Sequence, residues 1–540
     1  MPRLILKLPD GPHPLETAPA ERRVLSDLLA AGGFPLNTRC GKRGLCGGCE
    51  IELLEGSLDV GGKTVSAPAT VRACLAKPLG DATLSIPARS RMEHRPQIGD
   101  TFRIDVPAAH QPLFEVDPGV RDTAFAIDIG TTTVAVLLVD LESGAPLSRA
   151  SGFNQQIRFG DNVLTRIEAA RDPQAFNAMR SAIVAETIAP LLERALDRAK
   201  RPASRIVGGV VAGNTTMLHL LLGEDPSPLG VSPFTPRFLE ARQTTCKTLG
   251  LGKGPAPETP VHLLPGIAAY IGADIVAGIY ATGMLYDKDP SLLVDIGTNG
   301  EVVLQTEGRL VGCATAAGPA FEGAGLRCGS RARHGAVSAL HLSLDPFHIN
   351  AEIIGAVPHA QATGICGSAY IDFLAEGREA GLLTAAGRFD PDAWETIPPP
   401  HRDTTDEERA LRLAPADSAP TISEVDVAVI LQAKAAIGAG IETLLDHAGI
   451  APADISRLYL AGGFGMHLDV AHAIEIGLLP GFRTSQVEVV GNTALAGALL
   501  AAIDRTTLRE MDSLRSSVDV LELNLQDGFE DRYVEHLMLP

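Results

Sequence analysis

Four cysteines crowd one stretch of a chain that otherwise scatters them. Cys40, Cys46, Cys49 and Cys74 are separated by five, two and twenty-four residues, while Cys246, Cys313, Cys328 and Cys366 follow no spacing. In a reducing compartment thiolates clustered in this way hold metal rather than pair as disulfides. Gly41, Gly44, Gly47 and Gly48 let the intervening loop wrap closely and turn backbone N–H groups toward sulfur. A second chemistry is written twice. Asp128 and Asp295 each end an apolar run and each open the tetrapeptide Asp-Ile-Gly-Thr. A glycine-bearing turn between strands presents N–H groups to phosphate oxygens, threonine hydroxyls add donors, and the aspartate binds Mg²⁺ directly or through water. The expected donors are Gly130, Thr131 and Thr132 in the first turn and Gly297, Thr298 and Asn299 in the second. Asp128 and Asp295 are the expected catalytic carboxylates. Glu301 either orients a hydrolytic water or helps bind Mg²⁺, or is simply a strand residue.

Each signal has a plainer alternative. Four thiolates with one Cys-x-x-Cys suit tetrahedral zinc, but a zinc ribbon pairs two such knuckles. One pair with a cysteine shortly before it and a fourth far downstream is close to plant-type [2Fe–2S] spacing. Either Asp-Gly turn alone reads as a hairpin. Its recurrence in a matching strand context points to an internal repeat, hence two related halves clamping one nucleotide. Gly462 and Gly463, following a strand, would let backbone approach an adenine or ribose. Lys434 meets a phosphate or shields a helix face, and His219, His467 and the scattered cysteines read as structural.

These groups need elements to hold them. At 540 residues the chain exceeds one hydrophobic core, and 45% hydrophobic with 21% charged residues is globular composition. A net charge of −19 argues against nucleic acid and anionic membrane partners. The amino terminus lacks the apolar run of a secretory signal, which predicts a cytoplasmic protein. The apolar stretch 267–286 is interrupted by Asp274 and three glycines, and reads as a buried helix rather than a membrane span. Strands at 3–7, 51–54 and 83–86 with a helix at 21–31 predict a small α+β unit over 1–88, and 89–120 is weakly periodic and reads as a linker. A first α/β subdomain is expected over 121–205 and the main domain over 206–540. Within them fall one long helix from Pro173 to about Lys200, a buried strand at 207–212, and a polar surface insertion at 388–420. An N-cap at Ser423 with Asp426 opens an Ala-rich helix to about His447.

The order of motifs is itself informative: a clamp, Gly-Asn-Thr-Thr-Met at 213–217, a clamp, Gly-Gly after a strand, then a second Gly-Asn-Thr at 491–493. In that order they resemble the phosphate-1, connect-1, phosphate-2, adenosine and connect-2 motifs of the acetate and sugar kinase, Hsp70 and actin superfamily, over about 123–505. An N-terminal cysteine quartet fused to such a core resembles the reductive activators of corrinoid proteins. NQQIRFGDNVLTRI, GNTTMLHLLLG, LLVDIGTNGEVVL, ATAAGPAFEGAG, LQAKAAIGAGIE and YLAGGFG carry that likeness. The resemblance implies an α+β ferredoxin-like (β-grasp) domain with a [2Fe–2S] cluster on the four cysteines, then an α/β ATPase core with duplicated RNase H-like halves using ATP and Mg²⁺. It also implies an activity, ATP-dependent return of inactive Co(II) to Co(I) in a corrinoid-binding protein or cobalamin-dependent methyltransferase, supplied by an upstream low-potential electron donor. A homodimer is compatible with it. A plant-type cluster sits at about −400 mV, the Co(II) couple is expected lower, and each 100 mV uphill costs roughly 2.3 kcal/mol per electron. ATP-driven rearrangement would offset that. Unlike some relatives, this chain has no cysteine in its last 21 residues for a second cluster. The alternatives are an iron–sulfur ATPase serving another redox enzyme and a nucleotide-binding iron–sulfur sensor or scaffold. A ferredoxin-fused NAD or FAD reductase lacks its glycine fingerprint here.

Overall fold

The computed structural model describes residues 3–8, 11–16, 23–34, 36, 49–86, 111–160, 162–252, 254–404, 408–417, 419–464 and 468–540. Cys40, Cys46, His467 and most of the expected linker lie outside the described residues. The chain divides into two compact units, Met1–Pro96 with His467–Ala473, and Gln97–Met466 with Ile474–Pro540.

In the first unit, alternation puts Leu4, Leu6, Ile51, Leu53 and Leu84 on one buried face, against Leu25 and Leu29 of helix Leu25–Ala31. The five-stranded sheet runs Gly11–Glu16, Arg3–Leu8, Ala82–Ser85, Glu50–Glu55, Ala69–Arg72, with only the Arg3–Leu8 and Ala82–Ser85 pair parallel. Strand Gly11–Glu16 was not expected, because Pro12 and Pro14 argue against a strand. It lies at the sheet edge, where a missing N–H is tolerated.

The second unit builds one plan twice. Thr123–Ile129 pairs antiparallel with Thr133–Asp140, which pairs antiparallel with Pro146–Phe153; on its other side Thr123–Ile129 pairs parallel with Ile206–Gly213, then Pro260–Leu263. Ser291–Ile296, Gly300–Thr306, Arg309–Thr315, Arg457–Ala461 and Val487–Gly491 repeat that order and those directions. The first sheet therefore runs through residue 205. Helices Ala273–Thr282 and Thr493–Ile503 pack so closely that a Cβ on Gly497 would stand 2.5 Å from that of Ala277.

Three other expectations change. Residues 111–114 are fastened to this unit: Leu113 N–H donates to the Ala502 carbonyl at 3.1 Å, and the buried Phe114 ring leaves Gly208 no room for a side chain. The helix from Pro173 is relaxed by a π-turn at Val184–Ile188 before Ala189–Ala199, where Pro190 has no N–H to continue the ladder. The stretch 388–420 has a core of its own, with Phe389, Trp394 and Ile397 buried and a small sheet of Arg402–Asp403, Ala410–Arg412 and Thr421–Ser423. Ser423 and Asp426 do form the capping box opening helix Glu424–Ala448. That helix is long and apolar enough to cross a membrane, yet 78% of its apolar window is buried within the protein. Its Lys434 is absent from the cleft lining and is taken up by backbone carbonyls. The ammonium is fully buried and donates to the carbonyls of Ile476 at 2.9 Å and Met538 at 2.7 Å, and burial pushes its pKa down to about 8.

Candidate nucleotide site

The two Asp-Ile-Gly-Thr turns end the equivalent central strands of the two halves, so strand polarity brings them to one cleft. They touch: the hydroxyls of Thr132 and Thr298, 166 residues apart, lie 2.9 Å from each other, and Thr298 also donates to Glu322 Oε2 at 2.6 Å. Gly130 is required, because a Cβ there would meet the Thr133 carbonyl at 2.6 Å. Gly462 has φ of +91° and presses on the Ile296 carbonyl beside Asp295. All the expected donors, Gly130, Thr131, Thr132, Gly297, Thr298, Asn299, Gly462 and Gly463, line the same cavity as Asp128, Asp295 and Glu301.

The cavity also receives residues that sequence reasoning missed. Both Gly-Asn-Thr segments follow a parallel strand, and both asparagines do two jobs. Asn214 Oδ1 caps its helix by accepting from Met217 N–H at 3.0 Å, while its Nδ2 donates to the Thr131 hydroxyl at 2.9 Å. Asn492 accepts from Leu495 N–H at 2.7 Å and donates to Asp128 Oδ2 at 2.7 Å. The repeated tripeptide was the available signal. Asp274 and Glu322 complete the lining. Asp274, which only interrupted an apolar stretch in sequence, stands in the first turn of helix Ala273–Thr282.

Five carboxylates, Asp128, Asp274, Asp295, Glu301 and Glu322, thus share one cleft, and no Lys or Arg is among the described residues that line it. Burial pushes Asp128 up to about 7, against the Asn492 hydrogen bond and with help from the charge of Asp274. Asp295 rises to about 8 from burial and then from Asp274 and Asp128, and burial carries Asp274 to about 6. Glu301, directly across the strand pair from Asp295, is pushed well above the usual range by burial and by Asp274 and Asp295. Such a cleft favours a cation. Among the described residues no three acidic, His or Cys side chains converge closely enough to hold a metal alone. The Arg331 guanidinium of the second half lies 4.5 Å from the centre of the Phe153 ring of the first.

Of the cysteine quartet, Cys49 and Cys74 are described. Cys49 precedes strand Glu50–Glu55 and Cys74 follows Ala69–Arg72; the register Glu50 to Arg72, with Ala73 N–H donating to the Cys49 carbonyl at 3.1 Å, puts both at one end of the sheet. Both are buried. Cys313 and Cys366 are buried in the second unit with thiols pushed up to about 12 by burial, so they hold their protons. His219 is structural, its ring bonded to the Thr215 carbonyl and to Arg237 N–H and stacked on Phe238.

Two halves of one strand plan meeting at a carboxylate-lined cleft define an ATPase core of the acetate and sugar kinase, Hsp70 and actin class. Residues 123–287 match the model of the RACo middle region, and 289–540 that of the C-terminal domain of RACo, the ASKHA domain. The chain is similar to the corrinoid activation enzyme RamQ of Eubacterium limosum, 32% identical over 422 residues that cover 76% of this chain and 70% of the relative. It is similar also to the Co(II) methylated amine-specific corrinoid protein reductase of Methanosarcina barkeri, 24% identical over 436 residues covering 76% and 75%. A solved reductive activator for corrinoid, iron-sulfur protein superposes with a TM-score of 0.74 at 29% identity, covering 100% of this chain and 98% of that one. The chain belongs to the RACo family.

Proposed function

We propose that this protein reductively activates a corrinoid protein, returning Co(II) to Co(I) by one electron at the expense of ATP. The observation that carries the reading is the likeness, over both halves of the ATP cleft, to relatives named for that activity. Its partner is a corrinoid-binding protein or cobalamin-dependent methyltransferase, and an upstream low-potential donor reloads it in the cytoplasm.

The first unit is read as a ferredoxin-like β-grasp domain: an N-terminal hairpin, a helix, and a first strand parallel to the last support it. Cys40, Cys46, Cys49 and Cys74 would hold a [2Fe–2S] cluster, which when bound supplies a one-electron carrier. Cys49 and Cys74, buried at one end of the sheet, fit that role. In the second unit, Gly130, Thr131, Thr132, Gly297, Thr298 and Asn299 donate to the phosphates of ATP, and Gly462 and Gly463 give its nucleoside close approach. Asp128 and Asp295 hold Mg²⁺ directly or through water. Glu301 orients a water that attacks the γ-phosphorus in line; the bond to the β,γ-bridging oxygen breaks and ADP and phosphate leave. Phosphate entering between Thr132 and Thr298 must replace their mutual hydrogen bond. Occupancy of the cleft is thereby coupled to the relative position of the two halves.

The test is anaerobic absorbance of the cognate corrinoid protein with a strong reductant. Co(I) should accumulate catalytically only with ATP and Mg²⁺, and Cys46→Ser should bind ATP yet produce none. Equal Co(I) without nucleotide would overturn the ATP-driven reading. Stoichiometric zinc in place of two irons, with no rhombic EPR signal on reduction, would overturn the cluster.

A further inference from the structure

None of the described residues of the segment 154–167 lines the cleft, yet three of its polar side chains are fully buried. Asn154, Gln156 and Arg166 are each 0% exposed. Asn154 closes on the first phosphate turn from behind at two points: its backbone N–H donates to the Thr132 carbonyl at 2.9 Å, and its Nδ2 to the Gly130 carbonyl at 3.0 Å. Asn154 is itself fixed. Its Oδ1 accepts from Gln156 N–H at 3.1 Å; the Gln156 amide donates to the Met179 carbonyl at 3.0 Å and accepts from Arg166 at 3.3 Å; Arg166 Nε donates to the Gly160 carbonyl at 2.9 Å.

A peptide unit is planar and trans, so its C=O and the following N–H point in opposite directions. Turning the carbonyls of Gly130 and Thr132 toward Asn154 therefore turns the N–H groups of Thr131 and Thr133 away from it, and both residues line the cleft on the far side of the turn. Between the last paired residues the second turn has one residue fewer, three between Ile296 and Gly300 against four between Ile129 and Val134, and it is closed by Gly297 N–H on the Asn299 carbonyl at 3.0 Å. The longer first turn has an additional peptide whose orientation its own hydrogen bond does not fix.

We propose that Asn154 is a positioning residue for nucleotide binding, holding two peptide planes of the first turn so that their N–H groups face the phosphates. The inference rests on the ATP reading above. Its effect should appear in nucleotide affinity rather than in folding, because it fixes donors that only the phosphates use.

The full chain with Asn154→Asp and Asn154→Ser tests it, using Mg²⁺ with a non-hydrolysable ATP analogue. Asn154→Asp keeps the acceptor for Gln156 N–H and the backbone bond to Thr132, but its ionised carboxylate cannot donate to Gly130. Affinity at pH 8 should fall roughly tenfold or more, read at a temperature where both proteins are fully folded, because the buried charge itself lowers the nucleotide-free melting temperature. Once protonated, the introduced acid donates again, so the affinity ratio of variant to parent should approach one as pH falls toward 6. Asn154→Ser, too short to reach Gly130, should bind weakly at both pH values. Parent-like binding by Asn154→Asp at pH 8 overturns the proposal, as does a loss that follows melting temperature in both variants and shows no recovery with acid. If the parent itself fails to bind the nucleotide, the ATP reading falls and this inference with it. Parent binding with variant indifference sinks the inference alone.

Discussion

The two phosphate turns share a tetrapeptide, a strand order and a cleft, but not a set of neighbours. The first is surrounded by amides. Asn214 donates to Thr131, Asn492 to Asp128 and Asn154 to Gly130. The second is surrounded by acids: Glu322 accepts from Thr298, Glu301 stands opposite Asp295, and among the described residues no side chain donates to Asp295. The cross-strand partner of Asp128, where Glu301 stands in the second half, is Ala135. Duplication supplied one scaffold, and divergence of neighbours divided the work. On the proposed reading both turns would donate to phosphate and both aspartates would hold the metal, with the amides of the first half orienting its donors and the acids of the second adding negative charge.

That division can be broken experimentally. Asp295→Ala should cost the most, lowering ATP turnover by roughly a hundredfold or more, while Asp128→Ala should cost at least the tenfold that a loss of about 1.4 kcal/mol implies. Single-turnover hydrolysis of the two variants, each with its iron–sulfur signal intact, checks the order; equal losses would mean the halves share the chemistry evenly. A slower test follows from pH. Asp128 near 7 and Asp295 near 8 lie above their ordinary values, so the folded, metal-free protein holds protons that the unfolded chain releases from about pH 4 upward. Stability should therefore be greatest at the acid end of that window and fall as pH rises through 8. Added Mg·ATP should cancel the fall, and melting curves at pH 5.5 and 8 with and without it decide the matter. A smaller effect is expected from Asn492→Ala, which removes the donor favouring ionised Asp128. Its pKa should rise further, and activity should drop several-fold at pH 7 and recover near pH 8.5, with a smaller gain over that range in the parent, whose Asp128 is already about half ionised at pH 7. The smallest should be Arg331→Ala, where losing a contact between the halves worth about 0.5–1 kcal/mol shifts their closure only two- to five-fold. Nucleotide off-rates should rise by that factor.

The repeat was legible because Asp-Ile-Gly-Thr after an apolar strand carries both its chemistry and its placement locally. Asn154, Asp274 and Glu322 were not, since each comes from an element that meets the cleft or the back of its first turn only after folding. Asp274 was even visible as an oddity, a charge in an apolar stretch, and was explained there as a dilution of hydrophobicity. The expected boundary at 205 falls just before a buried strand; its parallel pairing to Thr123–Ile129 joins residues 83 or 84 apart and leaves no local mark. Residues 111–114 looked like linker because a single buried ring, Phe114, sets no period. Cys40 and Cys46 lie outside the described residues, so half of the predicted cluster site has only its spacing behind it.

The ammonium of Lys434 gives the molecule an order of assembly. A chain is made from its amino end, and the Met538 carbonyl that satisfies this buried charge comes 104 residues later, roughly 5–20 s of synthesis. Until then helix Glu424–Ala448 carries a cation in its buried face short of one acceptor, and a lysine so placed resists burial. The helix contacts both Gly300–Thr306 and Arg309–Thr315, the strands behind the second turn. The strands behind the second turn are thus backed by a helix whose buried charge is fully satisfied only by a residue 104 positions further along the chain.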